Sequence, residues 1–213
     1  MDGMAIAGSR VWFETNIDNY GEIWIDSKID RSTGVIVGIN AQHRVEVNGS
    51  AAPGTKATLL AEAVGPNGVV FAHDPDSKRR ALIVDNVVRL GLSWLRIITD
   101  ASKGAGADRV LVDAPCSNTG VLARRVEVRH RLTEKAIGEL ATQQKSLLGD
   151  AIALVRVGGV VVYSTCSIER EENEDVVAAT LAEGGVELLE QKLTWPDPPA
   201  HDGGFIAVLK RVE

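Results

Sequence analysis

The chain has 213 residues, a size that suits one α/β unit with decorations. Hydrophobic residues make up 45% of it and aromatics 4%. No run of about eighteen apolar residues occurs, and no basic region leads into an apolar stretch at the start, so neither a membrane span nor a secretory signal is expected. The net charge of −6 counts against a nucleic-acid binder unless cations gather on one face, and the two cysteines fit a reducing, cytoplasmic setting in which thiols stay free.

Residues 1–20 show no clear period and are read as an unplaced leader to a domain over 21–213. A short strand is expected over 21–25, then a helix over 26–40 weakened by Gly34 and Gly38. Strands and helices alternate from there. "HRVEV" (43–47) is a strand, and the turn after it leads into a helix over 55–64, closed by Gly65-Pro66-Asn67-Gly68. "VVFAHD" (69–74) is a strand, 77–91 a helix ending at Gly91, and "LRIITD" (95–100) a strand. "DRVLVDAP" (108–115) is another strand, followed by a long amphipathic helix over 133–156 that stops at Gly158-Gly159. "VVVYSTC" (160–166) is a strand, "ENEDVVAATLAEGG" (172–185) a helix, and "GVELLEQ" with "GGFIAVLKRV" a final strand pair around the Pro-rich connection 194–204. Near-continuous apolar strands alternating with helices imply a parallel sheet covered on both faces.

Ligands of open α/β sheets bind beyond the carboxyl ends of the strands. The polar residues there are "NGSAAPGTK" (48–56), Asp74, Asp100, Asp113 with Cys116, and Cys166. Small residues in the 48–56 turn let a ligand approach the backbone at a helix N-terminus. The strand-end Asp74 suits ribose hydroxyls. The turn carries neither a dinucleotide fingerprint nor a P-loop, so a nucleoside ligand without phosphates, such as S-adenosylmethionine, is expected. Cations cluster in Arg124, Arg125, Arg129, Arg131 and Lys135 and again in Lys78, Arg79 and Arg80, while acids gather in "EREENED" (169–175).

Both thiols stand at crevice positions. "DAPCSNTGVLARR" holds Cys116 and "YSTCSIEREENEDVV" holds Cys166. A thiol placed at a strand end among charged groups is a candidate nucleophile. These two segments, with "AAPGTK" (51–56), Gln144 and "HDGGFIAVLKR" (201–211), resemble the Sun/Fmu (RsmB-type) family of RNA cytosine-5 methyltransferases over about 21–211.

The resemblance implies a Rossmann-like class I methyltransferase fold, a mostly parallel seven-stranded sheet with an antiparallel C-terminal strand. It also implies S-adenosylmethionine-dependent methylation of carbon 5 of cytosine in ribosomal or transfer RNA. By resemblance Cys166 is the nucleophile that adds to carbon 6, and Cys116 assists release of the product. Asp113 would hydrogen-bond the cytosine edge, and Lys56 would face the same pocket. The implied cofactor contacts are Ser50, Ala51, Ala52, Pro53, Gly54, Thr55, Lys56, Asp74, Arg79, Asp100 and Asp113. RNA is the expected partner, met by the basic segment 124–135; no metal or membrane partner is expected.

The sequence departs from the family pattern at Asn48, Gly49 and Ser50, where Asp-Leu-Cys is usual, at Thr55, where a second glycine is usual, and at His130 in place of an aromatic. Two readings therefore stand side by side: an active enzyme, or a non-catalytic RNA-binding or assembly module with impaired cofactor binding.

Overall fold

The computed structural model describes the backbone of residues 6–7, 10–16, 19–23 and 44–49, and side chains as well from Gly54 to Glu213 except at 75, 131 and 199. The expected helix over 26–40 lies outside the described residues. Part of the stretch read as a leader is a small antiparallel sheet of β1 (Ile6–Ala7), β2 (Arg10–Asn16) and β3 (Asn19–Ile23). The strand expected over 21–25 is thus β3, beginning two residues earlier.

The main sheet contains β4 (Arg44–Gly49), β5 (Val69–His73), β6 (Leu95–Ile98), β7 (Ala107–Asp113), β8 (Val155–Thr165), β9 (Val186–Thr194) and β10 (Gly204–Arg211). Their order is β6-β5-β4-β7-β8-β10-β9. The pairs from β6 to β8 are parallel, and β10 runs antiparallel to both β8 and β9. Adjacent parallel strands end together at one edge. Gly49 lies beside Asp113, and Asp113 beside Ser164, so the loops after β4, β7 and β8 emerge side by side.

Among the described residues, four helices cover the two faces: α1 (Thr55–Val64), α2 (Ser77–Leu90), α3 (Glu134–Leu154) and α4 (Glu174–Glu183). The period of two along the strands divides the core. Leu111, Val160 and Val162 pack with α1 and α2 residues Ala57, Leu60 and Ile83. Val110, Val112, Val161 and Tyr163 pack on the other side with Leu148, Ala151, Val176 and Val177 from α3 and α4. The helices begin on side-chain caps where the sequence supplies them: Asp76 accepts the Lys78 amide at 2.8 Å, and Thr133 the Ala136 amide at 3.1 Å.

Two helix boundaries differ from expectation. The helix read over 133–156 ends at Leu154, and β8 starts at Val155, ahead of the two glycines rather than after them. An apolar run such as 151–157 fits either state by periodicity alone. The ladder decides it: Val155 pairs with Ala107, and the register then shifts so that Val160 pairs with Arg109. Gly158, at φ 77°, takes up the irregularity. The helix read from 172 begins instead at Glu174. Glu172 closes a short 3-10 turn (Arg170–Glu172) because its side chain is drawn into the interior. The strand read in "GVELLEQ" extends to Thr194.

Candidate active site

The two cysteines follow adjacent parallel strands, Cys116 three residues after β7 and Cys166 directly after β8. Their sulfurs are 3.4 Å apart. Cys116 is buried and Cys166 half-buried. The shared hydrogen bond polarises the pair. The Cys116 thiol is pushed up, chiefly by this bond and then by burial. The Cys166 thiol is held below its ordinary range, first because it receives that bond. Burial and Asp113 oppose this, while the cations Lys56 and Arg125 favour it. Cys166 is therefore the more readily ionised sulfur, and the more open one.

Lys56, in the first turn of α1, reaches across the strand ends to Asp113, with its Nζ 2.5 Å from the carboxylate. Gly54 precedes it in a left-handed conformation (φ 103°), and a Cβ there would press on Ile83 of α2 at 3.2 Å. This glycine serves helix packing as well as the turn. Residues 50–53 of the candidate cofactor turn lie outside the described residues. Thr55 opens α1.

Asp74, expected to accept ribose hydroxyls, is fully buried. It accepts the Asp76 amide at 3.0 Å, and Arg79 Nε stands 3.4 Å from its other oxygen. Arg79 is thus an ion-pair partner of Asp74 with its side chain 44% exposed. Asp100 is exposed at the end of β6 and caps a 3-10 turn through the Ser102 amide at 2.9 Å. The hydrogen bonds from Ser102 hold its carboxyl below the ordinary range.

Sequence reasoning missed the frame that holds the thiols. Glu172, one of the acids gathered in 169–175, is fully buried. Its carboxylate accepts the Ser117 amide at 2.9 Å, the Ser117 hydroxyl at 2.5 Å and the Gln144 amide at 3.0 Å. Gln144, also fully buried, donates to the Pro115 carbonyl at 2.8 Å, so α3, the Cys116 loop and the Cys166 loop are tied at one point. Thr165 donates to Asn173 at 2.6 Å, and Asn173 donates to the Ser167 carbonyl at 3.0 Å. Gly120 lies so near Gly203 that a Cβ on it would come within 2.4 Å of the Gly203 carbonyl oxygen. The hint was present in the sequence: serines, threonines and asparagines crowd both cysteine segments, and buried carboxylates need such donors.

A crevice of about 220 Å³ opens beside the Cys116 loop, with Cys116, Ser117 and Asn118 on one wall and Val128, Leu132, Ala136 and Leu140 on the other. The basic segment passes this mouth as a 3-10 helix (Val126–His130) that buries Val128 and exposes Arg129 and His130. Arg124 is engaged by Asp202 at 3.2 Å. Arg131 lies outside the described residues. Among the described residues, no helix is long and apolar enough to cross a membrane, and no cluster of side chains suited to a metal occurs.

The family model described as 16S rRNA methyltransferase RsmB/F matches residues 40–210. Ribosomal RNA small subunit methyltransferase B of Salmonella newport is 33% identical over 211 residues, which cover 91% of this chain and 48% of that protein. The tRNA (cytosine(72)-C(5))-methyltransferase of Pyrococcus horikoshii is 33% identical over 187 residues, 79% of this chain and 47% of the relative. The solved structure of NSun6 from Pyrococcus horikoshii with SFG superposes with a TM-score of 0.71 at 30% identity, covering 80% of this chain and 48% of that one. The chain thus spans about half the length of these two relatives. Its fold is the α/β methyltransferase fold of these neighbours. With two thiols brought together on that fold and a family model matched through both of their loops, the chain belongs to the 16S rRNA methyltransferase RsmB/F family.

Proposed function

We propose that the chain methylates carbon 5 of cytosine in RNA through a covalent cysteine–base intermediate. One observation carries this reading: two free thiols whose sulfurs stand 3.4 Å apart at neighbouring strand ends, Cys166 the less buried of the two. Carbon 5 of cytosine is a weak nucleophile. Addition of the Cys166 thiolate to carbon 6 forms a C–S bond and moves an electron pair to carbon 5. S-adenosylmethionine, when bound, supplies the methyl group that the activated carbon 5 takes up. A base, the Cys116 sulfur or a water, takes the carbon 5 proton, the C–H electron pair returns to the ring, the C–S bond breaks, and Cys166 leaves as thiolate. The Cys116 sulfur, 3.4 Å from Cys166, is proposed to assist this release. Asp113, held by Lys56, accepts from the cytosine edge, and the cation offsets charge that builds on the ring.

The donor set at the strand ends fits that cofactor. Asp74 and Asp100 follow β5 and β6, and Asp113 ends β7, as acceptors for hydroxyls and an amine, and three carboxylates repel phosphate. A ribose hydroxyl would reach Asp74 by displacing the Arg79 guanidinium. To the same cofactor site we assign Ser50, Ala51, Ala52, Pro53, Gly54, Thr55 and Lys56, as the family resemblance implies. Ribosomal or transfer RNA is the proposed substrate, its phosphates met by Arg125 and Arg129 and its target base flipped toward the strand ends that carry Cys166 and Asp113. Residues 21–213 are assigned to one catalytic domain of Rossmann-like, class I type. Thiol chemistry of this kind suits the reducing cytoplasm.

The test uses in-vitro transcribed 16S ribosomal and transfer RNA with S-adenosylmethionine and denaturing electrophoresis. Cys116→Ala is expected to accumulate a protein–RNA adduct, and Cys166→Ala to form none and methylate nothing. An adduct in the Cys166 variant alone reverses the two roles. No adduct in either variant, with no methylation by the unaltered chain, favours a binding module instead.

A further inference from the structure

Asn118 has a left-handed backbone (φ 63°), the one positive φ among the described non-glycine residues. This turns its side chain back between the two cysteines. Its Nδ2 donates to the Cys116 carbonyl at 2.7 Å, and its Oδ1 lies 3.3 Å from the Cys166 sulfur. A backbone carbonyl can only accept, so the first bond fixes which end of the amide faces which way. Oδ1 therefore faces Cys166. It carries no proton, so only a protonated thiol satisfies the contact. Ionising Cys166 turns that hydrogen bond into repulsion between the thiolate and an amide oxygen.

The remaining groups around the sulfur pull in different directions. The Cys116 thiol, Lys56 and Arg125 favour the thiolate, Asp113 opposes it, and Glu172 acts on Cys116. Among these groups Asn118 alone makes a contact that exists only in the neutral state.

We propose that Asn118 is a positioning residue that holds Cys166 as an aimed, neutral thiol and sets how readily it ionises. The inference rests on Cys166 being the nucleophile. Its consequence is a thiol shielded from stray electrophiles between turnovers, while its cationic neighbours keep ionisation within reach.

Iodoacetamide alkylation of Cys166 tests this directly. It is followed against pH by the mass of the peptide that carries Cys166, in the 213-residue chain without RNA or cofactor. Asn118→Gly removes the acceptor and suits the left-handed backbone. Its inflection is expected at lower pH, with alkylation below it about two- to tenfold faster, the factor one neutral hydrogen bond controls. Asn118→Asp keeps the shape but sets a carboxylate beside the sulfur, and its inflection is expected at higher pH. An unmoved or raised inflection in Asn118→Gly overturns the assignment, as does a shift in the same direction in both variants. Circular dichroism verifies that each variant is folded, and if Asn118→Asp is not, the direction in Asn118→Gly decides alone. Methylation lost in Asn118→Gly with no shift marks the residue as a structural prop, which also overturns it. Alkylation needs neither RNA nor cofactor, so failure of the methylation reading shows separately, in the adduct assay.

Discussion

Replacing Glu172 by alanine takes away the acceptor on which both cysteine loops and α3 converge. The carboxylate is fully buried and serves three donors, and their fates differ. The Ser117 hydroxyl can turn to the Ser167 oxygen at 3.2 Å, so its loss is small. The Ser117 amide has no such alternative, and the Gln144 amide keeps its bond to Pro115 but loses the second. Two buried donors left without acceptors cost about 1–3 kcal/mol each. Such a loss lowers Tm by roughly 5–20 °C in a chain of this size. Glu172→Gln retains one oxygen for the Ser117 and Gln144 donors, while Ser117 Oγ can accept from the new amide, so a loss of only about 1 kcal/mol is expected. Melting followed by circular dichroism at one protein concentration reads both. A Glu172→Ala variant that melts within about 2 °C of the unaltered chain would refute the reasoning, since that is the shift of under 1 kcal/mol.

Lys56→Met should move the Cys166 alkylation inflection to higher pH. It removes a cation that favours the thiolate and frees the opposing Asp113 carboxylate, so less thiolate exists at any given pH. An inflection at unchanged or lower pH would count against the charge arrangement at the site. Gly120→Ala should lower Tm, by roughly 2–10 °C for an overpacking cost of about 1–3 kcal/mol, because its Cβ meets Gly203 backbone that cannot rotate away. A melting curve superimposable on that of the unaltered chain would show that the two loops are less tightly joined than their 2.7 Å hydrogen bond implies.

Much of the fold is legible along the chain because its causes are local. Alternating apolar runs and helical periods mark the parallel strands and their covering helices, and Gly65 and Gly91 end helices where the sequence marks them. The two cysteine segments are likewise readable, since each follows a strand and strand ends are where ligands gather. The α3–β8 boundary was not readable, because Val155 is extended only through its pairing with Ala107 on another strand. Nor was the frame of the site. Cys116 meets Cys166, Lys56 meets Asp113, and Ser117 meets Glu172 across about fifty residues of chain. Those meetings follow from the register that sets Gly49, Asp113 and Ser164 in one row. Glu172 shows the difference most plainly. In sequence it is one acid among several beside solvent-loving neighbours, and only the donors that the β7 loop and α3 bring to it make burial of its carboxylate favourable.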